Sequence, residues 1–341
     1  MATLTRPLLI TEDSEVIDTV VRIAAARAGE VLVCAEQTAV RGAWMHAPLV
    51  LVGADCAAEV ISRGLPNRGR IVVVTCTDDR VVWEQAVRLR AEHVVRLPDG
   101  ERWLADALAD CAEGPPRDGC VLAVVGGAGG VGASTFAATL ALTAAQDGRR
   151  SLLIDGDPLG GGLDLLLGVE EAAGARWSAI DPGPGRLSPA QLDAALPHVG
   201  SVALLSADSP RAAEAPVVAS VVDAGRRGFD AVVIDCPPPG DAHIGTWVAV
   251  ADRVIVIASA HVHGASATAR VLQRLAGLGV HPEVVVAERA KGVPSEEVAS
   301  ALGITARASI PFIPSMAGRA DEGDVPVITS AYARECRLVL S

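Results

Sequence analysis

Ser134 and Thr135 come directly after a glycine-rich stretch, Gly126-Gly127-Ala128-Gly129-Gly130-Val131-Gly132-Ala133. The carboxylates Asp155, Asp157 and Asp235 each close or follow an apolar run. These residue types in this spacing suit phosphate and metal chemistry. Successive glycines let a loop curl until backbone N–H groups converge on an anion, and the N-terminus of a following helix adds its positive dipole end. A hydroxyl beside carboxylates suits a hard cation such as Mg²⁺. The expected cradle is Gly127, Gly129, Gly130, Val131, Gly132, Ala133, Ser134 and Thr135, with the Ser134 hydroxyl able to ligate the metal.

The elements that must position these groups are legible on either side. An apolar run, Val121 to Val125, leads into the loop, and an Ala/Leu-rich helical pattern, Phe136 to Ala145, follows it. Two phosphate-binding templates fit this strand–loop–helix. Gly127-x-Gly129-x-x-Gly132 matches the dinucleotide fingerprint, and Asp155 ends the next strand roughly 20 residues on, where a ribose ligand would stand. The P-loop template also runs from Gly127 to Gly132, with Ala133 where lysine belongs and then Ser134. The Ser134-Thr135 tail favours the P-loop. So does Phe229-Asp230-Ala231-Val232-Val233-Ile234-Asp235, a buried strand ending in a carboxylate as a Walker B segment does. A dinucleotide site does not require that strand, but an NAD(P)-dependent oxidoreductase remains the alternative that the fingerprint allows.

Four segments in order, GGAGGVGAST, LLIDGDPLGGGLD, FDAVVIDCPPPG and ADRVIVIAS, resemble the ParA/MinD class of deviant Walker ATPases. Within that class the chain is most similar to the actinobacterial septum-site-determining (Ssd) and CpaE-like proteins, which place a degenerate receiver-like domain before the ATPase domain. The resemblance implies ATP and Mg²⁺ as ligands. By the same match Asp157 would orient the attacking water, Asp155 would support the metal site and Asp235 would hold a Mg²⁺-bound water. It also implies a homodimer.

The chain departs from the class at two positions. The class carries a signature lysine early in the loop and a second one before the Ser/Thr; here these are Ala128 and Ala133, and the whole chain has one lysine, Lys291. Losing one electrostatic group of this kind typically costs about 10²–10³ in rate, and positioning with charge stabilisation is nearly all of phosphoryl-transfer catalysis. The expectation is nucleotide binding with little or no hydrolysis, or a loop that has lost binding as well. Where many members of the class read adenine with an asparagine, this chain has Ala287-Glu288-Arg289.

Composition narrows the function classes. The chain has 341 residues, half of them apolar and only 3% aromatic, so Val, Ala and Leu must fill the core. The net charge of −12 and the lack of a long basic run argue against nucleic acid as a partner. Seven cysteines are scattered without a C-x-x-C spacing, which fits small buried residues in a reducing cytoplasm rather than a metal site. No apolar segment reaches the ~18 residues of a membrane span. The expected location is cytoplasmic, with membrane contact at most peripheral, at the inner face.

The expected fold is α/β in two domains. Residues 1–112 alternate short strands and helices five times and resemble a response-regulator receiver (flavodoxin-like), here degenerate. The third strand ends at Gly53 where a working receiver needs aspartate, Asp55 is expected to point elsewhere, and Leu97 stands at the lysine position. Residues 113–119 read as a Pro/Gly linker. Residues 120–341 read as a ParA/MinD-like P-loop domain with a mostly parallel sheet. Within it, 171–199 is a Pro/Gly/Ala-rich insertion, and 330–340 is an amphipathic helix expected to pack on the domain. The expected function is that of a positioning and regulatory protein acting through dimerisation and recruitment of a partner from the division or the pilus and secretion machinery. The alternative within the same fold is an active ATPase that localises a Flp/Tad pilus or secretion machine.

Overall fold

Runs of Leu, Ile and Val too short for helices alternate with amphipathic stretches, and a parallel sheet covered on both faces is how such a chain buries them. The computed structural model describes residues 6–26, 29–34, 37–112, 119–181, 186–316, 326 and 328–341. The chain divides into two units, Met1–Pro116 with Gly183–Ser188, and Arg117–Pro182 with Pro189–Ser341. The linker expected at 113–119 lies, except for Gly119, outside the described residues.

The first unit runs β1 (Leu8–Ile10), α1 (Ser14–Ala26), β2 (Leu32–Val33), α2 (Gln37–Trp44), β3 (Val50–Gly53), α3 (Ala54–Ser62), β4 (Ile71–Thr75), α4 (Arg80–Leu89), β5 (His93–Arg96) and α5 (Glu101–Ala112). Its strands are parallel in the order β2-β1-β3-β4-β5. Strand alternation sorts the side chains into two cores. Leu8, Ile10, Val50, Val52, Ile71 and Val73 face one way, while Leu9, Leu51, Val72 and Val74 face the other. This is the flavodoxin-like order expected of a receiver.

One expectation fails here. Asp55 does not point away: its carboxylate turns back to accept from Thr11 Oγ1 and the Glu12 N–H, both at 2.7 Å. A Cβ at Gly53 would run into Asp55 Oδ1 and Thr11 Oγ1. The glycine that ends β3 therefore leaves the space that the neighbouring aspartate occupies.

The second unit runs β6 (Cys120–Gly126), α6 (Ala133–Gln146), β7 (Ser151–Asp155), α7 (Leu163–Leu166), a 3₁₀ turn (Trp177–Ala179), α8 (Pro189–Ala195), β8 (His198–Val199), β9 (Val202–Leu205), α9 (Ala215–Gly228) and β10 (Ala231–Asp235). It continues with α10 (Ile244–Val250), β11 (Arg253–Ser259), α11 (Val262–Gly277), β12 (Glu283–Ala287), α12 (Ser295–Leu302), β13 (Ala308–Ile310) and α13 (Ser330–Leu340). The sheet order is β13-β12-β11-β6-β10-β7-β9-β8, parallel except for the β8/β9 pair. The central helix α6 buries Phe136, Ala137, Ala138, Leu140, Ala141 and Ala144 completely. Its buried Thr139 and Thr143 hydroxyls donate to the carbonyls one turn back, at 2.7 and 2.8 Å, so neither is left unpaired.

α13 packs on this unit as expected. Tyr332, Cys336 and Val339 join its core. Arg337 pairs with Asp147 at 2.8 Å, Arg334 pairs with Glu335, and Arg253 Nη1 donates to the Val339 carbonyl at 2.7 Å. Among the described residues no helix is long and apolar enough to cross a membrane.

Candidate nucleotide-phosphate site

β6 sits between β10 and β11, and α6 leaves its carboxyl end. Ligands of open α/β sheets bind outside the carboxyl ends of strands, where the order reverses. The glycine loop lies there. Gly130 and Gly132 adopt φ of 65° and 92°, values that side chains resist, and Gly132 caps α6. Gly127 is required for another reason. Its N–H donates to the Ile257 carbonyl at 2.9 Å, and a Cβ would collide with Thr268 Oγ1. Gly129, Gly130 and Gly132 face open space.

That space is a cavity of about 660 Å³. Its lining is the loop from Gly126 to Thr135, Asp157, Asp235 and Cys236, Pro238 to Gly240, and Ala267, Arg270 and Val271 of α11. All eight residues of the expected cradle line it. Asp155 does not; it opens on an adjoining hollow of about 330 Å³, shared with Ser134, Asp157, Asp235 and Gly160 to Gly162. A third hollow, about 170 Å³, lies on the other side of the loop against Glu288, Arg289, Ile310 and Phe312.

The carboxylates differ in what holds them. Asp235, 4% exposed, is hydrogen-bonded to the Ser134 hydroxyl. Burial raises its pKa to about 7; that hydrogen bond works against the rise, and the charges of Asp155 and Asp157 add to it. Asp155, 3% exposed, has its pKa raised to about 6 by burial, against hydrogen bonds from the backbone N–H groups of Leu163, Asp157 and Ala207. The Leu163 and Asp157 bonds are both 3.1 Å. Asp155 thus pins the loop from 156 to 163, and the ring N–H of Trp177 in turn donates to its main-chain carbonyl at 2.7 Å. Asp157 is half-buried and accepts from the Leu159 N–H at 3.1 Å, the Asx turn of an Asp-Gly-Asp-Pro segment. Cys236 is buried, and burial pushes its thiol far above its ordinary value, which makes it an inert core residue rather than a nucleophile.

These groups fit a Mg²⁺–phosphate ligand. Asp235 and Ser134 offer hard oxygen donors, and Asp235 is a buried carboxylate whose charge a cation would offset. Among the described residues no three His, Cys, Asp or Glu side chains gather as a metal cage. Mg²⁺ keeps waters and takes substrate phosphates in place of such a cage.

The dinucleotide alternative fails on topology. A dinucleotide fold sets the acid-bearing second strand beside the first. Here β10 lies between β6 and β7, so Asp155 is one strand too far from the loop. Its carboxylate is also turned into the 156–163 loop. The NAD(P)-dependent oxidoreductase reading is corrected on these grounds.

Comparison with known proteins gives the same division. A family profile described as "Rv3660c-like, CheY-like N-terminal domain" matches residues 10–119, and one described as "NUBPL iron-transfer P-loop NTPase" matches residues 119–281. The Mycobacterium tuberculosis protein Rv3660c is 35% identical over 290 residues, 83% of this chain and 81% of its own length. The MinC:MinD cell division protein complex of Aquifex aeolicus matches 65% of this chain and 96% of its own at 21% identity and a TM-score of 0.55. The septum site-determining protein MinD of Pyrococcus horikoshii, complexed with Mg-ADP, matches 65% and 94% at 18% identity and a TM-score of 0.50. At these identities the two structures show a shared fold.

Proposed function

The chain belongs to the family of Rv3660c-like proteins, a CheY-like domain followed by a ParA/MinD-type P-loop domain, and from that premise we propose that it is a septum-site-type positioning protein that holds a nucleoside phosphate and turns it over slowly or not at all. One observation carries the reading: the loop keeps its main-chain cradle and the Ser134–Asp235 pair, while alanine stands at both positions where the class has lysine.

Gly129 to Gly132 would bind the phosphates by their N–H groups, with the dipole of α6 behind them, while the Gly127 N–H stays on the Ile257 carbonyl. Ser134 and Asp235 hold Mg²⁺, and Asp155 keeps the 156–163 loop in place. Bound Mg²⁺ would supply neutralising charge to the phosphates. Asp157, which lines the cavity, would orient a water. With no cation in the loop itself, the loop meets charge developing on the phosphates with backbone N–H groups alone, so hydrolysis is slow. The first unit recruits a protein partner, and the second forms a homodimer around the site. The Mg-ADP of the Pyrococcus protein and the MinC bound to the Aquifex one support ligand and partner of these kinds. The septum site-determining name of the MinD neighbour supports a division role ahead of a pilus role, and the place of action in this reading is the cytoplasm or the inner face of the membrane.

The test is calorimetric titration of the full chain with MgATP and MgADP, paired with a phosphate-release assay. Ligand at about 100 times Kd should add about 2.7 kcal/mol of stability. Binding with turnover well below one per minute is the expected result. Failure to bind either nucleotide at millimolar concentration would overturn the proposal, and rapid turnover lost in Asp157→Asn would favour an active ATPase.

A further inference from the structure

The cavity has a wall facing the glycine loop, and that wall is α11. Its distance from the loop is set at Gly127, where a Cβ would collide with Thr268 Oγ1. Its rotation is set by the fully buried Thr268, whose hydroxyl donates to the Gly264 carbonyl at 2.8 Å, and by Gly264, where a Cβ would lie 2.6 Å from Ser259 Cβ. With the helix fixed in this way, Ala267, Arg270 and Val271, spaced i, i+3, i+4, share one face and line the cavity.

Arg270 is exposed, and among the described residues its guanidinium makes one hydrogen bond, a long one of 3.5 Å to Ser266 Oγ. A guanidinium has five N–H donors, so most of its donors are open to a ligand. Arg289 also reaches the loop, but it lines the smaller hollow and not this cavity, and it is tied down there: Nη2 donates to the Gly130 carbonyl at 3.1 Å and Nε to Ser259 Oγ at 3.3 Å.

We propose that Arg270 binds the phosphate oxygens of a nucleoside polyphosphate in this cavity and supplies from α11 the charge that Ala128 and Ala133 do not supply from the loop. The assignment rests on the nucleotide reading of the site. Arginine suits the role because its planar fork pairs two phosphate oxygens at once, which a lysine point charge does not.

The experiment titrates the full chain with MgATP and, separately, with tripolyphosphate. Arg270→Ala should weaken both at least tenfold, Arg270→Gln should do the same, and Arg270→Lys should recover part of the loss. Arg274→Ala removes an equal charge from the same helix outside the cavity lining and should change either Kd less than twofold. Circular dichroism and melting temperature establish that each variant is folded; the exposed position makes the neutral variants safe. Unchanged affinity in folded Arg270→Ala and Arg270→Gln overturns the assignment and leaves the nucleotide reading standing. An equal loss in Arg274→Ala overturns it too, because the effect is then the general field of the helix. A wild-type chain that binds neither MgATP nor MgADP overturns both.

Discussion

Asp155 and Asp235 are register partners across the parallel strands β7 and β10, each the last residue of its strand, at 3% and 4% exposure. Two carboxyls so placed hold their protons more tightly in the folded chain than in the unfolded one, where the ordinary value is 3.8; burial lifts them to about 6 and about 7. The stability they contribute is therefore full below pH ~4 and is lost as the pH rises through the folded values. Asp235→Asn keeps the shape and an acceptor for Ser134 but removes the charge. The ligand-free variant should be more stable than the wild type at pH 8, with the advantage shrinking as the pH falls toward 4.5. Urea unfolding at both pH values checks this. A variant equally destabilised at both would show that Asp235 is held by its hydrogen bond and not penalised by its burial.

The same strain predicts how the metal acts. A cation offsets the repulsion between the carboxylates only when they are ionised, so Mg²⁺ should add to the thermal stabilisation by ADP, and add more at pH 8 than at pH 6. In Asp235→Asn the Mg²⁺ increment should vanish while stabilisation by ADP alone persists. Thermal melts with ADP, in Mg²⁺ and in EDTA, measure the increment directly.

What could be read from the sequence was what is local. The glycine loop, the strand-ending carboxylates and the short apolar runs that form the parallel strands depend on neighbours within a few residues, and their types declare them. Features set by packing were not legible. α11 begins at Val262 and takes in Gly264, although a glycine weakens a helix; the glycine is there because Ser259 leaves no room for a Cβ. α9 begins at Ala215, with Pro216 in its first turn, where a missing N–H costs nothing. Arg270 carries no motif at all; its place in the cavity follows from the rotation of a helix that is fixed by Thr268. Asp55 could be found but not aimed, since what draws it back is the hydroxyl of Thr11, just past β1 and 44 residues away in the chain. The Pro/Gly/Ala-rich composition of the insertion at 171–199 did not show its contacts, among them that Trp177 donates to the Asp155 carbonyl and meets Trp247 edge-on at 5.8 Å.

Restoring a loop cation tests why the site is slow. Ala133 lines the cavity at the start of α6, so the side chain of Ala133→Lys can reach a bound phosphate without crossing the core. If charge is the missing component, the variant should bind MgATP about tenfold more tightly and release phosphate up to about 10²-fold faster. Calorimetry and a phosphate-release assay read the two effects separately. Tighter binding with unchanged turnover would place the deficit in water positioning at Asp157 instead.

The loop glycines should separate into two kinds. At Gly127 a Cβ would press on Thr268 Oγ1 and lie 2.8 Å from the Ile257 carbonyl, backbone that cannot swing aside. Gly127→Ala must therefore push the loop away from α11 and β11 and should cost about 1–3 kcal/mol. At Gly129 a Cβ meets nothing within 4 Å, so Gly129→Ala should fold within about 0.5 kcal/mol of the wild type. Its methyl would stand instead in the cavity that Gly129 lines. The prediction is a crossed result in melting and titration: Gly127→Ala loses stability in the absence of any ligand, whereas Gly129→Ala keeps its stability and binds MgATP more weakly. Equal melting temperatures for the two ligand-free variants would contradict the close approach of α11 to the loop, on which the position of Arg270 also depends.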